Sequence, residues 1–228
     1  MIEKKSLRQE KSYKDVLELQ LEEFNYRVQK RKEGIPMPGD IIFFVEHRPV
    51  LTIGKHGHHS NLLVSEQFLA SQGIEFMELG RGGDITYHGP GQLTVYPILD
   101  MLRYHLGVKD YVWLLEEAVI NTISNYGIKG DRIEGKTGVW VGKGTPHERK
   151  ISAIGIKCSR FVSMHGLSLN VGPDLSGFSL INPCGLSQEV TSLSIESGLE
   201  LSLDEVENLL WENLNRLLLP RILSQGNS

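Results

Sequence analysis

Cysteine is scarce in this 228-residue chain: Cys158 and Cys184 are the only two, too few to staple a disulfide scaffold. Long apolar runs are missing too, which excludes a membrane-spanning helix. No stretch of 18 apolar residues occurs, and Met1-Ile2-Glu3-Lys4-Lys5 leads into polar sequence rather than the apolar centre of a signal peptide. Positive charge is also short. The 24 Lys and Arg against 28 Asp and Glu leave a formal charge of −4, which argues against bulk nucleic-acid binding. Internal repeats, low-complexity segments and Pro/Gly/Ser-rich linkers are absent, so nothing marks a domain boundary. What remains is a cytoplasmic, globular chain, 40% hydrophobic, with enough length for a full core and free thiols available for chemistry.

The densest local signal is Arg81-Gly82-Gly83-Asp84-Ile85-Thr86-Tyr87-His88-Gly89-Pro90-Gly91-Gln92. Its glycines permit positive φ and close backbone approach to a ligand. Ile85-Thr86-Tyr87 and Leu93 to Ile98 are β-prone, which predicts a ribbon bent around a ligand with Arg81 and His88 at its ends.

Around it, helical periodicity predicts a helix from Ser12 to Val28 stopped by Gly34, a second from Lys109 to Tyr126, and a last one after a Ser202/Glu205 capping box, ending at Pro220. Short apolar runs predict strands at Asp40–Glu46 and Val50–Gly54, with His47-Arg48-Pro49 as a turn. Strands at Phe161–Ser163 and Leu167–Val171 are separated by Met164-His165-Gly166. Two motifs are set aside. His56-Gly57-His58-His59 sits in a glycine-containing loop without a carboxylate or thiol close in sequence, so it does not read as a metal site. Gly130 to Thr137 fits the P-loop string, but a helix precedes it and a strand-like run follows it, the reverse of the order that places a helix N-terminus on phosphates.

Cys184 is the better candidate nucleophile. It lies between Pro183 and Gly185, whereas Cys158 lies in an extended run where cysteine usually serves as a small hydrophobe. A thiol of pKa about 8.5 needs a nearby cation or base to become a thiolate. Lys150, His88 and His165 are the available partners, and spacing does not choose among them.

The blocks Arg81–Gln92, Thr137–Val141, Lys150–Gly155, His165–Val171 and Asn182–Gly185, in this order, resemble the octanoyltransferases of lipoate biosynthesis. The resemblance implies a single α/β domain of the biotin/lipoate protein ligase type over 1–228, with a mixed β-sheet flanked by helices. Its core would run from about 12 to 220, with a short disordered tail at 224–228. It implies transfer of an octanoyl group from acyl carrier protein to a lysine of apo lipoyl domains, in 2-oxoacid dehydrogenase complexes and the glycine cleavage H protein. Metal, ATP, nucleic acid and membrane are not expected. By motif, Cys184 becomes the acyl-thioester nucleophile and Lys150 its partner. Arg81, Gly82, Gly83, Asp84, Ile85, Thr86, Tyr87, His88, Ala153, Ile154, Gly155, Gly166, Leu167 and Ser168 line the acyl pocket, with His47 and His165 in support. The basic residues Lys143, Arg149, Lys150, Lys157 and Arg160, opposed in sequence only by Glu148, suggest a carrier docking stretch. The alternatives are an ATP-dependent lipoate or biotin ligase, which needs no cysteine, an amidotransferase moving acyl groups between lipoyl domains, and a non-catalytic acyl-binding module.

Overall fold

The computed structural model describes residues 1–182 and 189–223. Strand β2 (Asp40–His47) shows why its apolar run is continuous. Ile42 and Phe44 enter one core while Ile41, Phe43 and Val45 enter another on the opposite face. A strand buried on both sides has no polar alternation to display. It belongs to a mixed sheet with β1 (Ile2–Lys11), β6 (Gln92–Ile98), β7 (Asp131–Ile133), β8 (Lys136–Val141), β9 (Arg149–Ser159) and β10 (Val162–Asn170), in the order β1-β2-β6-β10-β9-β8-β7. The short β11 (Glu189–Val190) pairs with the start of β9.

Helices α3 (Val108–Ser124) and α5 (Leu203–Leu223) cover one face of this sheet, burying Leu114, Leu115, Val119, Leu210 and Leu214 against it. On the other face lies α1 (Tyr13–Glu33), with Tyr13, Val16 and Phe24 packed on Phe43, Tyr96 and Met164. A second sheet, β4 (Glu75–Glu78), β3 (Val50–Ile53) and β5 (Thr86–His88) in the order β4-β3-β5, forms its own core with α2 (Glu66–Ser71). A five-residue helix, α4 (Leu193–Ser197), follows β11. Among the described residues no helix is long and apolar enough to cross a membrane.

Several expectations change. Residues 2–11, outside the expected core, form a strand parallel to β2, with Ile2 opposite Asp40 and Leu7 opposite Val45. Its polar composition suits a sheet edge, where one face and one side meet water. The predicted ribbon is split between two sheets: β5 pairs with β3 and β6 with β2 and β10, so Gly89-Pro90-Gly91 is a crossing rather than a hairpin tip. His47 ends β2 and is buried instead of lying in a turn. Met164-His165-Gly166 does not interrupt the chain, because β10 runs unbroken through it. Pro220 lies inside α5 rather than ending it. His59 faces a carboxylate distant in sequence, Glu78, at 2.9 Å. The expected tail at 224–228 and the turn residues 183–185 lie outside the described residues.

Asp40 ties the sheet to the chain before α3. Its fully buried carboxylate accepts from Tyr104 Oη at 2.6 Å, Arg103 Nη1 at 2.5 Å and the Asp100 N–H at 2.8 Å. Removing it leaves two buried donors, Tyr104 Oη and the Asp100 N–H, without an acceptor and takes the carboxylate from the partly exposed Arg103. Asp40→Ala is expected to lower stability by about 2–4 kcal/mol in a urea titration, the cost of two buried donors left unpaired, without changing the fold class seen by circular dichroism.

Candidate active site

A cavity of about 440 Å³ lies between the large sheet and the small one, and a single irregularity in β9 decides what enters it. Val139 pairs with Ser152 and Trp140 with Lys150, so one step along β8 spans two along β9, leaving Ile151 as a bulge. Ile151 joins the α3/α5 core, and so do Ile154 and Ile156, three and five residues later. That change of phase puts Lys150 on the opposite face, with Ala153 and Gly155. There its Nζ sits 4.6 Å from the centroid of the buried Trp140 ring, a cation–π distance.

The opposite wall is the Arg81–His88 stretch, held against β9 by backbone contact. The Gly82 N–H donates to Ile156 O at 2.9 Å. A Cβ on Gly155 would stand 2.8 Å from Gly82 O, so this approach requires glycine there. Arg81 is 6% exposed and donates Nη2 to Thr52 O and Oγ1, both at 2.8 Å, and Nη1 to Gly82 O at 3.0 Å. Burial pulls its pKa below arginine's ordinary value, opposed by Tyr13, Tyr96 and Asp84. Arginine begins so high that the guanidinium stays charged. Asp84 is fixed by Ile85 N–H and Asn61 Nδ2, each at 2.7 Å.

Three buried histidines surround one end. Desolvation lowers His47 to about 4, His88 to about 3 and His165 to about 3. All three are neutral at physiological pH, and their partners fix two tautomers. His47 Nδ1 faces Lys11 O at 3.2 Å, a carbonyl that only accepts, so Nδ1 carries the proton. Nε2 then accepts from Tyr96 Oη at 2.8 Å. Tyr13 packs beside this pair, its ring 4.9 Å from that of His47. His88 Nδ1 lies 2.6 Å from Gln92 Oε1 and donates to it, since Gln92 Nε2 donates to Asn170 Oδ1 and Tyr87 O. His165 has φ of 59° inside β10, a left-handed conformation that costs a non-glycine residue about 1–3 kcal/mol. Its N–H is held by Gln20 Oε1 of α1 at 3.2 Å.

Of the residues expected at the pocket, Arg81, Gly83, Asp84, Ile85, Thr86, His88, Lys150, Ala153, Ile154, Gly155, His165, Gly166, Leu167 and Ser168 all line the cavity. Three stand behind it. Gly82 makes the β9 contact, Tyr87 packs its ring on Phe178, and His47 supports Tyr96. Cys184 lies outside the described residues, while Val190, which pairs with Lys150, lines the same cavity. The sequence reading missed Tyr13, Tyr96 and Phe178, which look like ordinary core aromatics. It also missed Gly135, Lys136 and Thr137 of the β7–β8 turn. The P-loop string covers those three, and the strand expected after it is there: they belong to a strand–turn–strand of β7 and β8. Cys158 is a free, half-buried thiol against Met101, its pKa raised by burial.

The basic stretch does not form one patch. Arg149 is bound by Glu196 at 2.5 and 2.6 Å, and Lys157 lies over the Phe24 ring. Arg149 and Arg160 are separated by the whole of β9, about 36 Å at 3.3 Å per residue.

The model of the lipoyl protein ligase A/B catalytic domain matches residues 15–215. The octanoyltransferase of Parabacteroides distasonis is 48% identical over 207 residues, covering 88% of this chain and 93% of that protein. That of Christiangramia forsetii is 46% identical over 214 residues, covering 91% and 92%. The chain belongs to the octanoyltransferase family. Members of that family are acyltransferases, and this chain is one of them. Solved structures share its fold at lower identity. The bipartite lipoate protein ligase of Thermoplasma acidophilum superposes with a TM-score of 0.67 at 18% identity, covering 96% of this chain and 84% of that one. The biotin protein ligase of Aquifex aeolicus in complex with biotin and ATP gives 0.52 at 12%, covering 95% and 70%.

The neutral histidines make the stability of this octanoyltransferase-family chain pH-dependent with a defined sign. Unfolded histidine binds a proton below about 6.5, whereas the folded protein resists until about 3–4. The unfolded state therefore takes up more protons between these limits, and stability falls as pH drops from 6.5 toward 4. Thermal melts across this window should show a steady loss of Tm, shallower in His88→Gln, with proton uptake on unfolding.

Proposed function

We propose that the chain moves an octanoyl group from acyl carrier protein to a lysine of apo lipoyl domains through an acyl-thioester on Cys184, assisted by Lys150. The observation that carries this reading is the meeting of Lys150 with an acyl-sized, largely apolar cavity lined by Ile85, Ala153, Phe178 and Val190. Burying hydrocarbon there contributes about 0.8 kcal/mol per methylene. The five signature blocks are in register and the relatives named octanoyltransferase span nearly the whole chain.

In the first step the Cys184 thiolate attacks the carbonyl carbon of the carrier-bound thioester. The new C–S bond forms as the carrier's C–S bond breaks, and the departing phosphopantetheine thiolate takes its proton from the Lys150 ammonium, which leaves that amine neutral for the second step. The Lys150 ammonium favours the thiolate electrostatically. In the second step the neutral amine of the acceptor lysine attacks the acyl-cysteine. Its C–N bond forms, the Cys184 sulfur leaves, and Lys150 acting as base removes the excess proton. Thioester exchange followed by amide formation runs downhill, so neither ATP nor a metal is needed. The acceptors we assign are the lipoyl domains of 2-oxoacid dehydrogenase complexes and the glycine cleavage H protein, with the reaction in the cytoplasm.

Intact-protein mass spectrometry tests this directly. Octanoyl-carrier protein without ATP is expected to give an octanoyl adduct on Cys184 that passes to an added apo lipoyl domain. No adduct, with acyl transfer appearing only once free octanoate and ATP are supplied, assigns the chain to ligase chemistry instead. Cys184→Ser is expected to abolish transfer, and Lys150→Ala to lower kcat/KM by about 10²–10⁴.

A further inference from the structure

One acid sits on the face of α3 that should be apolar. Glu116 is 8% exposed, among the fully buried Leu115, Ala118 and Val119. A carboxylate removed from water needs donors there, and each of its oxygens has one. Oε1 accepts from the Gly138 N–H of β8 and Oε2 from Arg132 Nε of β7, both at 3.0 Å. Arg132 is also held without Glu116, by Glu117 Oε2 at 2.7 Å, the Trp113 carbonyl at 3.0 Å and the Trp113 ring. Gly138 lies where β8 departs from both neighbours. On one side Asp131 faces Trp140 and Ile133 faces Lys136, so two steps along β7 span four along β8 and residues 137–139 arch away from β7. On the other side is the bulge at Ile151. The arch takes the buried Gly138 N–H out of the β7 ladder, and Glu116 supplies its acceptor. Gly138 has a φ of 119°, and a Cβ on it would stand 2.4 Å from Ser152 O and 3.6 Å from Lys150 Cε. The glycine backbone is therefore a wall against the lysine stem, in a place that admits no side chain.

We infer that Glu116 is a positioning residue for Lys150. By holding the Gly138 N–H from the α3 side, its carboxylate fixes the wall that keeps the lysine stem in the cavity and the ammonium over the Trp140 ring. The inference rests on the transfer reading, in which Lys150 acts on the acyl group. Without the carboxylate, the buried N–H must find an acceptor in the β7 or β9 ladder. Gly138 then turns, the arch flattens and the space beside Lys150 Cε opens. The damage falls on turnover rather than on binding. A shift of about 1 Å in a reacting group is enough to cost a large factor in rate, while the apolar lining that takes the acyl chain comes from other residues.

The test compares Glu116→Gln, which keeps one oxygen for two donors, Glu116→Ala, which keeps none, and Arg132→Gln, which removes the ion pair but leaves the bond to Gly138. Turnover of octanoyl-carrier protein gives kcat and KM. Separately, the rate at which acetic anhydride modifies Lys150 is read by peptide mass spectrometry, with the exposed Lys14 as internal standard. In both Glu116 variants kcat is expected to fall about 10–100-fold with KM little changed, and Lys150 to be modified severalfold faster than in wild type. Arg132→Gln is expected to melt at a lower temperature yet keep the wild-type kcat and labelling rate. Wild-type kcat or wild-type labelling in the Glu116 variants overturns the inference, and so do equal changes in Arg132→Gln, which make the carboxylate part of a structural ion pair only. If Glu116→Ala does not fold, Glu116→Gln decides. Failure of wild type to transfer octanoyl counts against the transferase mechanism instead, and the labelling of Lys150 still decides the role of Glu116.

Discussion

The structure turns on one backbone-to-backbone approach, that of Gly82 onto β9. A hydrogen bond from the Gly82 N–H to Ile156 O brings the small sheet's loop within van der Waals reach of the large sheet, and the missing side chain of Gly155 leaves room for it. Everything that faces the cavity depends on this distance. Arg81 is carried in beside Gly155 and its charge is spent on the Thr52 and Gly82 carbonyls. On the neighbouring strand, Gly166 makes a second tight spot, since a Cβ there would lie 2.1 Å from Val95 O. Two adjacent glycines on paired strands thus make a trough in a sheet that elsewhere carries bulky side chains on both faces.

The polar end of the trough is built on the opposite principle. Tyrosines and histidines are removed from water; the rings of His47 and His88 are satisfied by neutral partners, whereas Nδ1 of His165 is buried without one. Burial keeps His47, His88 and His165 neutral, so the network presents fixed dipoles with no net charge. The left-handed backbone of His165 belongs to the same arrangement. Regular alternation along β10, with Met164 toward α1 and Leu167 toward α3 and α5, would send this side chain into the α3/α5 core, and its positive φ redirects it to the cavity.

Much of this was legible in the sequence, for identifiable reasons. Helices α1, α3 and α5 declare themselves because one face repeats every third or fourth residue, and β2 because a doubly buried strand is apolar throughout. The Arg81–Gln92 stretch stands out since glycines cluster only where backbones must meet. What could not be read is how distant segments assort. The halves of that stretch belong to different sheets, and local propensity carries no sheet address. Strand β1 was missed because an edge strand of alternating polar residues resembles a coil. Tyr13 and Tyr96 were missed because a tyrosine lining a cavity and one filling a core have the same neighbours in sequence. The partnership we propose for Lys150 and Cys184 rests on motif order, since spacing along the chain gives no contact across it.

The bulge at Ile151 also says something about how such a chain can change over time. Lys150 owes its face of the sheet to a count of residues: one residue more or fewer before Ala153 would send the ammonium into the aliphatic core and Ile151 into the cavity. Side chains along this strand can drift by substitution, within the limits of packing. Insertions and deletions there are closed to it, so the segment Lys150–Gly155 is expected to keep its length among descendants of this fold even where its letters differ.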